Sequence, residues 1–224
     1  MTMNELRPHS RNATTRAYDF IKAAVMQGDY RAGGRITEEL IAEQIGVSRT
    51  PIRQALHKLA ADGFLVMSPN QGARVIEWSP QDGAEITNLR AILESFGAGI
   101  AAGKISQMKL SRLETLAEKM EVAAATGDKR ALESITESNS EFHMVIINAS
   151  GNIRLAEVIA SLAHPLLIRR RFSGFAPARL QRSMAHHREI IDALRAGDNS
   201  WASAIVKSHI LASQVADAGT TRLP

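Results

Sequence analysis

Thr37-Glu38-Glu39-Leu40-Ile41-Ala42-Glu43-Gln44-Ile45-Gly46-Val47-Ser48-Arg49-Thr50-Pro51-Ile52-Arg53-Gln54-Ala55-Leu56 is the stretch that decides the fold. Thr37 has the side chain of an N-cap, and Glu38 and Glu39 fall in the first turn, where the helix dipole favours acids. Leu40, Ile41 and Ile45 recur at helical spacing and are expected to face inward. Gly46 can take the left-handed conformation that ends a helix. Ser48 is the expected N-cap of the next helix, and Pro51 falls in its first turn, where a missing N–H costs nothing. Ile52, Leu56 and Leu59 make the buried stripe of that second helix, and Gly63 ends it. Two short helices about a tight turn, with cations at the start of the second, present side chains as a helix-turn-helix does to a DNA major groove.

The flanking sequence completes a small domain. Ala17, Phe20, Ile21, Ala24 and Val25 share one face of a helix expected from about Ala13 to Gln27, preceded by a polar tail over residues 1–12. Phe64-Leu65-Val66-Met67 and Ala73-Arg74-Val75-Ile76 read as two strands joined by a turn at Pro69-Asn70-Gln71-Gly72. Three helices and a β-hairpin make a winged helix-turn-helix over residues 13–77. Trp78-Ser79-Pro80 is the expected linker. Residues 81–218 are helical in pattern, an all-α bundle of about six helices near 80–104, 109–126, 128–149, 152–173, 178–196 and 198–217, with a tail at 219–224.

Composition narrows the class. Among 224 residues, 45% are hydrophobic, enough for real cores, and no apolar run approaches the ~20 residues of a membrane span. No secretory h-region stands at the N-terminus, and cysteine is absent, which suits a reducing compartment. A cytoplasmic, nucleoid-associated protein without membrane contact is expected. Residues 1–76 carry ten Lys/Arg against seven Asp/Glu, whereas 77–224 carry 17 against 16. The basic end is therefore the helix-turn-helix end, which fits a polyanionic partner.

With Ser48 as N-cap, Arg49, Thr50 and Arg53 occupy the exposed side of the first turn and a half of the second helix, opposite Ile52 and Leu56. Arginine bonds guanine O6 and N7 bidentately or grips phosphate, and Thr50 can meet a phosphate or a thymine methyl. The small tip at Gln71 and Gly72 can approach the DNA backbone closely. The run from Ile45 to Leu56, then Leu59 and Asp62-Gly63-Phe64-Leu65, resembles the N-terminal domain of GntR-family bacterial transcription regulators. The resemblance implies operator contacts from Arg49 and Arg53. Gln54 stands where many members carry Glu, and Glu39 where some carry a basic residue.

The helical part has polar residues on its apolar stripes, which burial makes costly without a partner. One stripe is Leu132, Ile135, Asn139, Phe142, His143 and Ile146; a second is His187, Ile190, Ile191 and Leu194; a third is Ile205, Val206, His209 and Ala212. Three inward imidazoles and an amide oxygen are either satisfied core groups or donors converging on a divalent cation, for which N and O donors leave Zn, Ni, Mn and Fe open. His186 points about a hundred degrees away from His187 and reads as rim. His164 reads as ordinary packing within one helix.

Asn139-Ser140-Glu141-Phe142-His143, Ser150-Gly151-Asn152, the run His187 to Asp198 and His209-Ile210 resemble the FCD ligand-binding domain of the FadR subfamily of GntR regulators. That resemblance implies an all-helical bundle in which Asn139, His143, His187 and His209 hold a divalent metal beneath a small organic-acid effector. Asn139 replaces the commoner Asp, and a neutral oxygen binds a cation more weakly. It also makes Arg90 a carboxylate clamp; the other reading of Arg90 is a surface salt bridge with Glu94, four residues on. Arg169-Arg170-Arg171 spreads around a helix and carries no assigned site.

The function expected is a homodimeric, ligand-responsive transcription regulator, a repressor released from its double-stranded DNA operator by a small carboxylate, and not an enzyme. Two other readings are a metal-dependent hydrolase fused to a DNA-binding module and an architectural DNA-binding protein without effector. Hydrolysis wants a general base by the metal, and Glu141, the acid near His143 in sequence, lies on the wrong side of its helix.

Overall fold

The computed structural model describes residues 8–68, 72–127 and 129–214, with backbone alone at 8–12 and 129–130. The chain forms two compact units that divide between Glu77 and Trp78.

In the first unit the order is α1 (Pro8–Gln27), β1 (Arg35–Ile36), α2 (Glu38–Ile45), α3 (Arg49–Ala61), β2 (Leu65–Ser68) and β3 (Gly72–Val75). Helix α1 begins five residues before the expected Ala13. Ala17, Ile21, Ile36, Ile41, Ile52, Leu56 and Leu59 are fully buried, each large side chain contributing on the order of 1.5–3 kcal/mol. Two residues placed on inward faces turn out: Phe20 and Leu40 are both 37% exposed. The Thr37 hydroxyl accepts from the Leu40 N–H, and Gly46 closes α2 at φ +65°, as a left-handed cap requires. Ser48 precedes α3 in extended conformation, but its side chain makes no capping bond.

The sheet has three antiparallel strands in the order β1-β3-β2, so the expected hairpin gains a third strand. Two residues are too few to show period-2 alternation, and β1 was illegible for that reason. Arg35 opposes Arg74 and Ile36 opposes Ala73. Gly72 follows from this pairing: at φ +82°, a Cβ there would lie 2.4 Å from the Ile36 carbonyl oxygen.

The second unit comprises α4 (Pro80–Ala102), α5 (Gln107–Thr126), α6 (Lys129–Ala149), α7 (Ile153–Leu162), α8 (Pro165–Ser173), α9 (Pro177–Ala196) and α10 (Asn199–Ala212). Helix α4 starts at Pro80, where the helix near 80–104 is expected to start and the linker to end, and Ser79 and Asp82 form a reciprocal capping box there. The helix expected over 152–173 is two helices. Pro165 lacks the N–H the ladder needs and pushes His164 to extended backbone (φ −70°, ψ 129°). His164 then caps α8, its Nδ1 accepting from the Leu166 N–H at 3.3 Å. Leu113, Met120, Phe142, Ile190, Ala193, Ala202 and Val206 build the core of this unit. No helix among the described residues is long and apolar enough to cross a membrane.

Candidate functional site

The DNA-facing candidates lie where the helix-turn-helix pattern puts them. Arg49 and Thr50 open α3, and Ser48, Arg49, Thr50 and Arg53 are all exposed. Both guanidiniums are held by α2: Arg49 pairs with Glu39 at 3.0 Å, and Arg53 donates from Nε to Glu38 Oε1 at 2.6 Å and from a terminal nitrogen to Oε2 at 3.0 Å. Their side chains remain 64% and 63% exposed, so these pairs are solvent-screened and cheap to exchange. Gly72 borders the wing turn, and its small size already has a structural cause in Ile36. Gln71 lies outside the described residues.

In the second unit three helices bring their histidines together. Ligand atoms of His143 (α6), His187 (α9) and His209 (α10) all lie within 4.8 Å of one another, and all three residues are buried. The His143 and His209 rings stack with centroids 5.2 Å apart, and His187 and His209 lie at 4.5 Å. Asn139, one turn before His143, places Oδ1 3.1 Å from His187 Nε2. Burial first, then the neighbouring imidazoles, pushes His187 and His209 well below the usual histidine range. Both are therefore neutral and offer lone pairs at pH 7. Nδ1 of each is buried without a hydrogen-bond partner.

Glu94, expected only as a surface partner of Arg90, is buried and also reaches His143, which the sequence did not reveal. It is 1% exposed and its Oε1 accepts from Arg90 Nε at 2.6 Å. Its Oε2 lies 2.7 Å from His143 Nδ1, at ion-pair distance though off the line of a hydrogen bond. Burial raises the Glu94 carboxyl, yet the charges of Arg90 and His143 outweigh it and hold it at about 2. Nδ1 of His143 is turned to Glu94, which leaves Nε2 as the atom free to meet a cation. Arg90 is thus neither a surface pair nor an unencumbered clamp; it is 6% exposed and already holds one carboxylate. The sequence carried one clue: Thr87, Arg90, Glu94 and Ala98 share a face, so a polar pair sits within a buried stripe.

A cavity of about 40 Å³ adjoins the cluster, room for a few water-sized groups. Arg90, Asn139, His143 and His209 line it, together with Arg171, Arg179 and Arg182. Within the arginine run, Arg171 turns in and donates to Ser213 Oγ at 2.8 Å, to the Gly83 carbonyl at 2.7 Å and to Thr87 Oγ1. Arg170 instead donates to the Trp78 carbonyl at 3.1 Å. His186 lines the rim as expected, its ring 5.8 Å from His209. Glu141 is remote from this chemistry: it accepts from Arg112 Nε at 2.7 Å, and both side chains are about half exposed.

Comparison with known proteins assigns both units. Residues 13–75 match the family of bacterial regulatory proteins, gntR family, and residues 85–212 match the FCD domain. The chain belongs to the GntR family. Among its relatives, the probable D-xylose utilization operon transcriptional repressor of Paenarthrobacter nicotinovorans is 30% identical over 195 residues, covering 87% of this chain and 84% of the relative. The Nta operon transcriptional regulator of Aminobacter aminovorans is 31% identical over 185 residues, covering 81% and 83%. The solved structure of E. coli McbR/YncC superimposes with a TM-score of 0.71 at 26% identity, over 89% of this chain and 93% of that one. This GntR protein is a DNA-binding transcription regulator whose second unit is an FCD effector-binding domain, the architecture of the FadR subfamily.

Proposed function

We propose that this GntR regulator is a homodimeric repressor, acting on DNA in the cytoplasm, that leaves its operator when a small organic acid enters the FCD cavity. The observation that carries the reading is the cavity itself: four guanidiniums and two imidazoles of the cluster, His143 and His209, line one space of about 40 Å³. Guanidinium and carboxylate match in charge and planar geometry. Arg90 lines that space, and the nitrogens not engaged by Glu94 can meet the acid. The name of the P. nicotinovorans relative supports repression.

The donor set fits a divalent metal. His143, His187 and His209 would hold it with Asn139 Oδ1, an all-N/O set that suits Zn, Ni, Mn or Fe. The Asn139–His187 contact of 3.1 Å is the edge expected between neighbouring ligands on bonds of about 2.1 Å. When bound, the ion supplies a Lewis-acidic point for one carboxylate oxygen. The chain's own residues do the rest: Glu94 orients His143, burial keeps His187 and His209 neutral, and the arginines hold the anion.

On the first unit, operator DNA would draw Arg49 and Arg53 away from Glu39 and Glu38, with Thr50, Ser48 and the wing residues Gln71 and Gly72 on the backbone. A two-fold operator calls for two copies. Leu89, Ile92 and Phe96 share one face of α4 and are 49%, 59% and 57% exposed, an apolar surface that a second copy would cover. We read the protein as a binder and not an enzyme, because Glu141 is turned from the cluster and Glu94 is neutralised by Arg90.

The test is a thermal-shift screen of the metal-loaded protein against small carboxylates, with its own promoter fragment in a gel-shift assay. A true effector raises the melting temperature by mass action and lowers promoter retention. Stabilisation by no acid, with retention unaltered throughout, would leave an architectural DNA-binding role.

A further inference from the structure

We infer that the effector is a compact dianion, whose second negative charge is held by Arg171 and Arg182. This rests on the reading that the FCD cavity binds the effector, and it follows from the charges on the cavity wall. Arg90, Arg171, Arg179 and Arg182 line it together with His143, His186 and His209, and no Asp or Glu among the described residues does.

The four guanidiniums are not equivalent. Arg90 is compensated by Glu94 at 2.6 Å. Arg179 donates to the Ala212 carbonyl and lies over the Phe175 ring. Arg171 donates only to uncharged oxygens, those of Gly83, Thr87 and Ser213, and its Nε is buried without a partner. Arg182 is exposed at the cavity edge. Among the described residues, neither Arg171 nor Arg182 has a carboxylate at ion-pair distance. Burial, then the like charges of Arg90 and Arg179, pushes Arg171 down to about 10, which leaves it charged at neutral pH.

Two guanidiniums without a carboxylate partner among the described residues therefore line one small space; for the part-buried Arg171 the missing counter-charge is costly, and the exposed Arg182 adds a second positive charge at the edge. The single group of a monocarboxylate goes to the free nitrogens of Arg90. A ligand with a second anionic group also meets Arg171 and Arg182, and the volume of about 40 Å³ favours a short spacer between the two groups. A divalent ion on the imidazole cluster would strengthen the demand for negative charge. The shared chemistry is that of a short dicarboxylate or a small phosphate ester.

The experiment is titration calorimetry on the full-length, metal-loaded protein with butanoate, succinate and inorganic phosphate, repeated with Arg182→Gln and Arg171→Gln. Butanoate and succinate have equal carbon number, so their ratio isolates the second charge. Succinate is expected to bind roughly tenfold or more tightly than butanoate, the scale of one charge-assisted contact. Each variant should lower succinate affinity more than butanoate affinity and so bring that ratio down toward one. Arg182 is exposed, so its variant keeps the test intact if Arg171→Gln fails to fold. Phosphate binding as tightly as succinate also supports a dianion and assigns the source to a phosphate ester. Equal affinities for butanoate and succinate in the unaltered protein, or an equal loss of both in the variants, overturns the inference and leaves the acid-effector reading standing. Binding of none of the three also overturns the inference, and the acid-effector reading then falls only if the wider carboxylate screen is empty as well.

Discussion

The Glu94 carboxylate lies 2.7 Å from Nδ1 of His143. Its other oxygen holds Arg90, so one buried side chain links a candidate anion clamp to a candidate metal ligand. Glu94→Gln would leave Arg90 without its counter-charge. The expected loss is about 3–5 kcal/mol, as for a broken buried ion pair, read from urea unfolding. Metal affinity should fall roughly 10–100-fold, because His143 loses the carboxylate that orients it. Competition with a chelating dye reads that, and wild-type values in both assays would remove Glu94 from the account.

Asn139 permits the opposite experiment. Asn139→Asp adds a formal charge to the donor set, and metal affinity should rise by roughly tenfold or more, given charge-assisted contacts of on the order of 1.5–3 kcal/mol. Without metal the same variant should be less stable than the parent, since a carboxylate at a position only 4% exposed would lose its hydration against the neutral His187 ring that Asn139 now contacts. A variant that binds metal no better in the chelator competition argues that Asn139 is not a ligand.

On the DNA side, Glu38 restrains Arg53 through two hydrogen bonds. Arg53→Ala should weaken operator binding by about 1–3 kcal/mol. Glu38→Gln should strengthen it modestly, by releasing the guanidinium and removing a charge that repels phosphate. Fluorescence anisotropy at fixed salt measures both. A weaker complex with Glu38→Gln would show that the pair pre-orients Arg53 instead of restraining it.

Tyr18 donates to Asp62 Oδ2 at 2.7 Å. Burial first, then that bond and the acid's charge, raises its phenol from 10.0 to about 12. The folded state therefore favours the protonated form. That stabilisation is fully present below about pH 10 and is lost as pH rises through 12. Urea melts of Tyr18→Phe should lack this alkaline decline, and a parallel decline in both proteins would place its origin elsewhere.

If α4 forms the contact between two copies, Ile92→Lys should yield monomers by size exclusion with the fold intact by circular dichroism. Operator affinity should drop with dimerisation. An unchanged elution volume would move the interface off this face.

The helix-turn-helix was legible because its signals are local: Thr37 caps α2, Gly46 ends it, and Ile52, Leu56 and Leu59 repeat at helical spacing. The histidine-bearing faces of α6, α9 and α10 were legible from the same periodicity. What sequence concealed was long-range or too short to repeat. Glu94 meets His143 only through tertiary packing. Strand β1 has two residues. The break at Ala163-His164 was signalled by Pro165, but the apolar stripe running across it outweighed that signal. Arg171 sits one turn beyond the buried Leu167 and Ile168, a spacing that marks it as inward-facing within the arginine run.

The most direct test follows operator affinity with metal and acid varied independently. The protein's own promoter fragment is titrated in anisotropy with metal-loaded and chelator-stripped protein, each with and without a saturating acid from the screen. The account predicts similar affinities for the two acid-free forms, and a large acid-induced loss of affinity only in the loaded one. Equal release by the acid from loaded and stripped protein would contradict it.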